Sequence, residues 1–458
     1  MQTHSWTTID PCTGLNKETY TSATGALIGS TLVELNQSFE KWSVLSISER
    51  QKILRPFLSR VVEKKEEIAR LMTEEMGKPL KDSVGEIKKC IDTIDSYLKF
   101  NYHFLSEETV SSVYKQSHIH HQPLGIIYSI MPWNFPFFQV IRMIIPSLLG
   151  GNVVLLKHSE ITPKTGQMFN TLFEGIWTEP LLKHLFLTHE VTDLIVGDAR
   201  VGGVSITGST KAGASISEAA GKHMKKVVLE LGGSDPSIIC TDADLELAAK
   251  KVARGRLMNT GQSCICIKRC LVDSKILPEF LSLLKNEFQN YKFGNPMDLK
   301  TDLGPLAHPK FKKAHAEQVT ELKKVTGAEL IYSKPHGQSD SSAYVDAEIY
   351  LLKENNEWLK DQEFFAPLLV VIPFHSENEA IRIANSTEFA LGASVFSKDI
   401  DRAKKISNGV TAGQIAINDI VKSDMTLPFG GFKKSGLGRE LSPLGILEFT
   451  QSKVISFS

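Results

Sequence analysis

From residue 124 onward, short apolar runs alternate with helical stretches. The runs are GIIYSIM (125–131), NVVLLK (152–157), GGVSITGST (202–210) and KKVVLELGG (225–233). This alternation predicts parallel strands joined by crossover helices, and so an α/β fold. Helical signals dominate the first hundred residues: Ser48 and Gln51 have the form of a capping box, and Ile53, Leu54, Phe57, Leu58, Val61 and Val62 follow at helical spacing. Pro56 predicts a kink or a later start, because an interior proline costs about 3 kcal/mol in a helix. Residues 242–257 begin at a good cap and keep an apolar stripe, which predicts a helix leading into NTGQSC. A second α/β region runs to about residue 428, and the alternating end EFTQSKVISFS predicts an edge strand in need of a partner. The most hydrophobic stretch, 126–156, carries Arg142 as its one charge. Pro132, Asn134, Pro136, Pro146 and the pair Gly150 and Gly151 interrupt it, so it reads as buried strand, loop and helix and not as a membrane span.

At 458 residues the chain has length for two or three domains, and 42% apolar with 23% charged residues is ordinary for a globular protein. Lys+Arg and Asp+Glu balance at 52 each, so no net field draws nucleic acid or an anionic membrane. The six cysteines are unevenly spread, and MQTHSWTTIDPC holds no apolar signal core. A reduced, cytoplasmic setting is the expectation.

Neither GxGxxG nor GxxxxGK[ST] occurs. The nearest approach is GSTKAG after Val204, Ser205 and Ile206, where Gly208 and Ser209 open a helix whose free N–H groups suit phosphate; an ordinary strand-to-helix turn reads the same way. Cys264 lies in a small polar loop just after a helix, the partial access a nucleophile needs, although a structural cysteine fits too. Cys264, Cys266 and Cys270 lack the spacing and the nearby His of a zinc site, so no metal is expected. Glu230 ends an apolar strand, where a carboxylate is either paired or functional. Asn134 stands amid aromatic and proline residues, as a turn cap or a functional amide.

Together these segments resemble the NAD(P)-dependent aldehyde dehydrogenase superfamily across nearly the whole chain. The resemblance rests on MPWNFP (131–136), LLKHSE (155–160), SITGST (205–210), LELGGSDP (229–236), NTGQSC (259–264), EFFAPL (363–368) and PFGGFKKSGLGRE (428–440), in family order. Within it, the compact length, ELGGSDP and FGGFKKSGLGREL are most similar to the bacterial succinate-semialdehyde dehydrogenase group. The resemblance implies a dinucleotide-binding domain from 1–111 and 125–231, a catalytic domain over 232–428, and a bridging and oligomerisation region from 112–124 and 429–458. It also implies a homodimer or homotetramer acting on a small aldehyde.

By the same resemblance, Cys264 attacks the aldehyde to give a thiohemiacetal, and the Asn134 amide with the Cys264 N–H stabilises the oxyanion. Hydride loss to the cofactor leaves a thioester, which Glu230 hydrolyses as general base. Trp133, Gly208 and Ser209 lie near the pyrophosphate, Lys157 and Glu160 at the adenosine ribose, and Glu363 and Phe365 at the nicotinamide end. Glu160 favours NAD over NADP, because a carboxylate accepts ribose hydroxyls and repels a 2′-phosphate, while Lys157 keeps dual use open; a helix N-terminal acid is the alternative for Glu160. Arg142 and Ser423 match positions that anchor a substrate carboxylate, but a second arginine of some members is here Met258. Arg142 paired to a structural acid is the other reading. Cys266 offers a redox partner for Cys264, or is a small core residue. The rival functions are a broad-range aldehyde dehydrogenase and a non-catalytic protein of the same fold.

Overall fold

The computed structural model describes residues 3–101, 108–339 and 342–458. A six-stranded sheet has the order Gly436–Leu437, Lys226–Glu230, Val201–Thr207, Ile126–Met131, Val153–His158, Leu182–His184. Five of these strands are parallel, and the two-residue strand 436–437 closes one edge antiparallel. The four apolar runs of the sequence are four of its strands. Helix Phe138–Leu149, buried along its whole length, and helix Pro163–Phe173 make the crossovers on one side.

A seven-stranded sheet has the order Ala328–Lys334, Ala347–Leu352, Leu368–Phe374, Ile267–Asp273, Asp235–Ile239, Gly392–Phe396, Gln414–Ile417, all parallel except the first. Its central strands are buried on both faces. Ile238, Leu271, Val370 and Ile372 pack into one core and Ile239, Val272, Val371 and Leu369 into the other. A third sheet pairs Thr450–Phe457 with Gln116–Pro123, and that strand with Glu108–Val110. The terminal strand thus finds its partner within the chain, yet Val454, Ile455 and Phe457 stay exposed. Residues 432–433 and 436–437 pair with 389–390 and with the end of Lys226–Glu230, so that part of the expected bridging region lies where the two large sheets meet.

Two local expectations are corrected. The capping box is Ser46 with Glu49, two residues earlier than Ser48 with Gln51, and it starts helix Ile47–Glu63. That helix runs through Pro56, which faces solvent, as does Lys52, whose carbonyl loses its amide partner to the proline. The freed carbonyl lies on the solvent side, where hydration costs nothing in folding, and the burial of Leu54, Phe57 and Val61 holds the helix. The predicted helix at 242–257 is Leu245–Leu257, capped by Asp244, whose carboxylate accepts from Leu247 N at 3.0 Å. Among the described residues no helix is long and apolar enough to cross a membrane.

Candidate active site

The strand order of the six-stranded sheet reverses between Ile126–Met131 and Val201–Thr207, the place where open α/β sheets leave a crevice at their carboxyl ends. Two loops flank it: 132–137, with Trp133 and Asn134, and the turn Gly208–Ser209. Ser209 caps helix Thr210–Lys222, its Oγ accepting from Ala212 N at 3.2 Å, and the Gly208 amide donates to the Glu230 carbonyl at 2.9 Å. From Glu230 the chain crosses through 231–234 to the first strand of the second sheet. The glycines of this link are required by close approach: a Cβ on Gly233 would lie 2.7 Å from the Cys264 carbonyl oxygen. The ELGG motif and the NTGQSC motif therefore lie backbone to backbone.

Cys264 follows a tight turn in which Asn259, Thr260 and Gly261 are all left-handed, with φ of 51°, 54° and 77°. A β-branched residue pays most for this conformation, so the turn needs external support. Thr260 Oγ1 accepts from Gly304 N at 3.0 Å, and the Gln262 side chain accepts from Ala307 N at 2.8 Å. The Asn259 amide donates to the Asn134 carbonyl at 2.9 Å, and the Asn134 amide donates to the Gln262 carbonyl at 3.2 Å. Asn134 is thereby held against the loop that carries Cys264. An amide nitrogen has two N–H groups, so the second remains to serve an oxyanion.

Cys264 borders a cavity of about 640 Å³ that Arg142, Ser423, Phe138 and Phe429 also line. Burial pushes its thiol up to about 12, with Lys268 and Arg142 pulling down and Glu230 and Glu363 pushing further up. Lys268 is fully buried and donates to the carbonyls of Ser263, at 2.8 Å, and of Cys264 itself. Cys266 is buried with its thiol 3.8 Å from the Met258 carbonyl, and both cysteines are free.

Glu230 is 1% exposed, and neither of its carboxylate oxygens has a hydrogen-bond partner. Desolvation raises it to about 8; Arg142 opposes the shift and Glu440 adds to it. Arg142 is equally buried, bridging Glu440 through Nε and reaching Glu230 Oε2 at 3.7 Å through its second amino group, with its guanidinium 4.5 Å over the Phe429 ring. The arginine expected at the substrate carboxylate is thus engaged by two protein acids, the alternative its sequence position left open. The PFGG loop closes over this cluster, since a Cβ on Gly430 would lie 2.9 Å from Glu230 Oε1. A buried carboxylate with unpaired oxygens has the form of a proton acceptor awaiting its partner.

Support for the Asn134 loop comes from helix Leu80–Lys99. Glu86 accepts from Phe137 N at 3.0 Å and Phe138 N at 2.8 Å, capping helix Phe138–Leu149 from outside, and forms a buried ion pair with Lys78. His158, kept neutral by burial, donates Nε2–H to the Pro136 carbonyl at 2.7 Å. Glu86→Ala should cost about 3–5 kcal/mol by leaving Lys78 buried and unpaired. Thermal unfolding checks this, and a wild-type melting temperature would contradict it.

Of the expected cofactor residues, Trp133, Gly208 and Ser209 lie on the two loops that flank the switch point. Trp133 stacks on Phe311 with centroids 4.6 Å apart and meets Phe365 edge-on at 5.7 Å. Glu363 accepts from Gly233 N at 2.9 Å and lies 3.9 Å from Lys268. Lys157, the last residue but one of its strand, is half-buried, its pKa lowered by burial against the pull of exposed Glu160, whose carbonyl accepts from Trp6. A helix N-terminus at the switch point, a desolvated lysine and the orphaned Thr207 hydroxyl fit a phosphate-bearing dinucleotide.

The sequence profile of the aldehyde dehydrogenase family matches residues 1–455. The chain belongs to that family. It is 36% identical over 454 residues to a succinate-semialdehyde dehydrogenase (NADP+) of Deinococcus radiodurans, covering 98% of this chain and 94% of that one. It is also 36% identical over 451 residues to a probable succinate-semialdehyde dehydrogenase (NADP+) of Synechocystis, covering 98% of each. The solved succinic semialdehyde dehydrogenase of Streptococcus pyogenes in complex with NADP+ superposes with a TM-score of 0.94 at 33% identity, over 99% of both chains. As a family member, this aldehyde dehydrogenase is an NAD(P)-dependent oxidoreductase that takes an aldehyde to its acid.

Sequence reasoning missed Lys268, Glu86, Glu440 and Phe311. Two left a signal: Lys268, a lysine four residues past Cys264 at the start of an apolar strand, and Glu440, the last residue of PFGGFKKSGLGRE.

Proposed function

We propose that this aldehyde dehydrogenase acts on a short semialdehyde with a remote carboxylate, succinate semialdehyde first among them. The observation that carries the reading is the cavity above Cys264, apolar along Phe135, Phe138 and Phe429, where the cations Lys81, Lys89, Arg142, Arg254 and Lys422 outnumber the acids Asp82, Glu86 and Asp302. The names of its Deinococcus, Synechocystis and Streptococcus relatives agree with it.

In this reading Cys264 gives its thiol proton to solvent, the Lys268 and Arg142 cations favouring the thiolate that burial disfavours, and the thiolate adds to the aldehyde carbon. The free N–H of Asn134 and the Cys264 amide receive the oxyanion. NAD(P), when bound, supplies the hydride acceptor, and a thioester on Cys264 remains. Glu230 then takes a proton from the attacking water. Trp133, Lys157, Glu160, Gly208, Ser209, Glu363 and Phe365 would hold the dinucleotide. The six-stranded sheet would form the dinucleotide-binding domain, the seven-stranded sheet the catalytic domain, and the three-stranded sheet, with its exposed apolar edge, an arm for a homodimer or homotetramer.

The test is reduced-cofactor formation by the purified protein with succinate semialdehyde, butanal and benzaldehyde, each with NAD and with NADP. A strong preference for the acidic aldehyde supports the reading, and comparable rates for all three make this a broad-range enzyme. Lys157 and Glu160 present opposite charges at the ribose, so both cofactors are expected to work. Glu160→Gln should raise the NADP/NAD ratio of kcat/KM about tenfold, the equivalent of ~1.4 kcal/mol. An unchanged ratio would remove Glu160 from cofactor choice.

A further inference from the structure

Five cationic side chains line the cavity above Cys264: Lys81, Lys89, Arg142, Arg254 and Lys422. Three have carboxylate partners, Lys81 on Asp302, Lys422 on Asp419, and Arg142 between Glu440 and Glu230. Arg254 is exposed in the last turn of helix Leu245–Leu257. Lys89 differs from all of them. It is half-buried on the inner face of helix Leu80–Lys99, one turn after Glu86, and among the described residues no carboxylate lies within 4.0 Å of it. Its ammonium donates to the Ser423 hydroxyl and stands 4.2 Å over the Phe138 ring.

A desolvated ammonium with only a hydroxyl and a ring for partners gains more from an incoming carboxylate than a cation already paired. Ser423 completes the arrangement: its oxygen accepts from Lys89, which leaves its O–H free to donate. Burial lowers the pKa of Lys89 to about 8, with Arg142 pushing the same way and the more distant Glu86 and Asp424 only partly opposing it. Arg142 is engaged by protein acids, and position 258 holds Met258, whose thioether carries no charge.

We propose that Lys89, with Ser423, is the anchor for the substrate's remote carboxylate and sets the preference for acidic over neutral aldehydes. This rests on the semialdehyde reading. Arg142 then acts on Glu230, and the charge that selects substrate comes from the helix beneath the Asn134 loop.

The test compares kcat and KM for succinate semialdehyde and for butanal, a neutral aldehyde of equal chain length, in wild type, Lys89→Met, Lys89→Arg, Ser423→Ala and Arg254→Ala. The preference, as a ratio of kcat/KM values, should fall about 30-fold in Lys89→Met, through KM for the acidic aldehyde, as expected for loss of a charge-assisted contact. Lys89→Arg should restore most of it, which no merely structural role for Lys89 predicts, and Ser423→Ala should lower it less. A Lys89→Met preference within threefold of wild type would overturn the proposal, as would loss of the preference in Arg254→Ala instead. Should Lys89→Met not fold, Lys89→Arg and Ser423→Ala decide: a preference untouched by Ser423→Ala overturns the paired anchor. A wild type that shows no preference at all would overturn the semialdehyde reading itself, an outcome distinct from failure of the Lys89 assignment.

Discussion

Cys264→Ala should reduce aldehyde oxidation by about 10⁴-fold or more while the protein still folds and binds dinucleotide. The expectation follows from how much of the surrounding structure is committed to this one residue. Three successive left-handed residues, the Thr260–Gly304 contact, the Gln262 amide and buried Lys268 all shape or brace the loop that presents the thiol. Removal of one sulfur leaves that scaffold in place, so the melting temperature should hardly change. Reduced-cofactor formation and thermal unfolding measure the two effects. Retention of more than a hundredth of the wild-type rate would place the covalent chemistry elsewhere.

Glu230→Gln should separate the two halves of the reaction. Acylation proceeds, so reduced cofactor appears in a burst of up to one equivalent per subunit. Deacylation, lacking its base, should slow by about 10²–10⁴-fold. The wild-type steady-state rate should rise as pH increases towards about 8, because desolvation raises the Glu230 carboxyl and only its ionised form takes a proton from water. The variant should lose that limb of the profile. Rapid-mixing kinetics across pH would show both; a wild-type pH profile without a burst would exclude Glu230 as the base.

Much of this was legible in the chain because it is local. The four apolar runs became strands, the helix before NTGQSC formed where its cap stood, and the terminal alternating segment became a strand. The two misreadings near residue 50 were also local: Ser46 and Ser48 both look like caps, and burial of Leu54, Phe57 and Val61 selects the register in which Glu49 completes the box. The site residues that escaped notice act across long separations. Glu86 braces amides 51 and 52 residues away, and Glu440 meets Arg142 only after the PFGG loop folds back over Glu230. Position 142 signalled a conspicuous buried arginine without saying which acid would claim it. Lys89 sits on an unremarkable amphipathic helix, and its lack of a carboxylate partner becomes visible only when Ser423 and Phe138 are placed beside it.

The central claim, a thioester on Cys264 made from an acidic aldehyde and resolved by Glu230, is tested most directly by trapping it. Glu230→Gln protein mixed with succinate semialdehyde and NAD(P), quenched in acid and digested, should yield a peptide containing Cys264 that carries the mass of one succinyl group, removable by hydroxylamine. The same mass on another residue, or reduced cofactor formed with no acylated peptide, would contradict it.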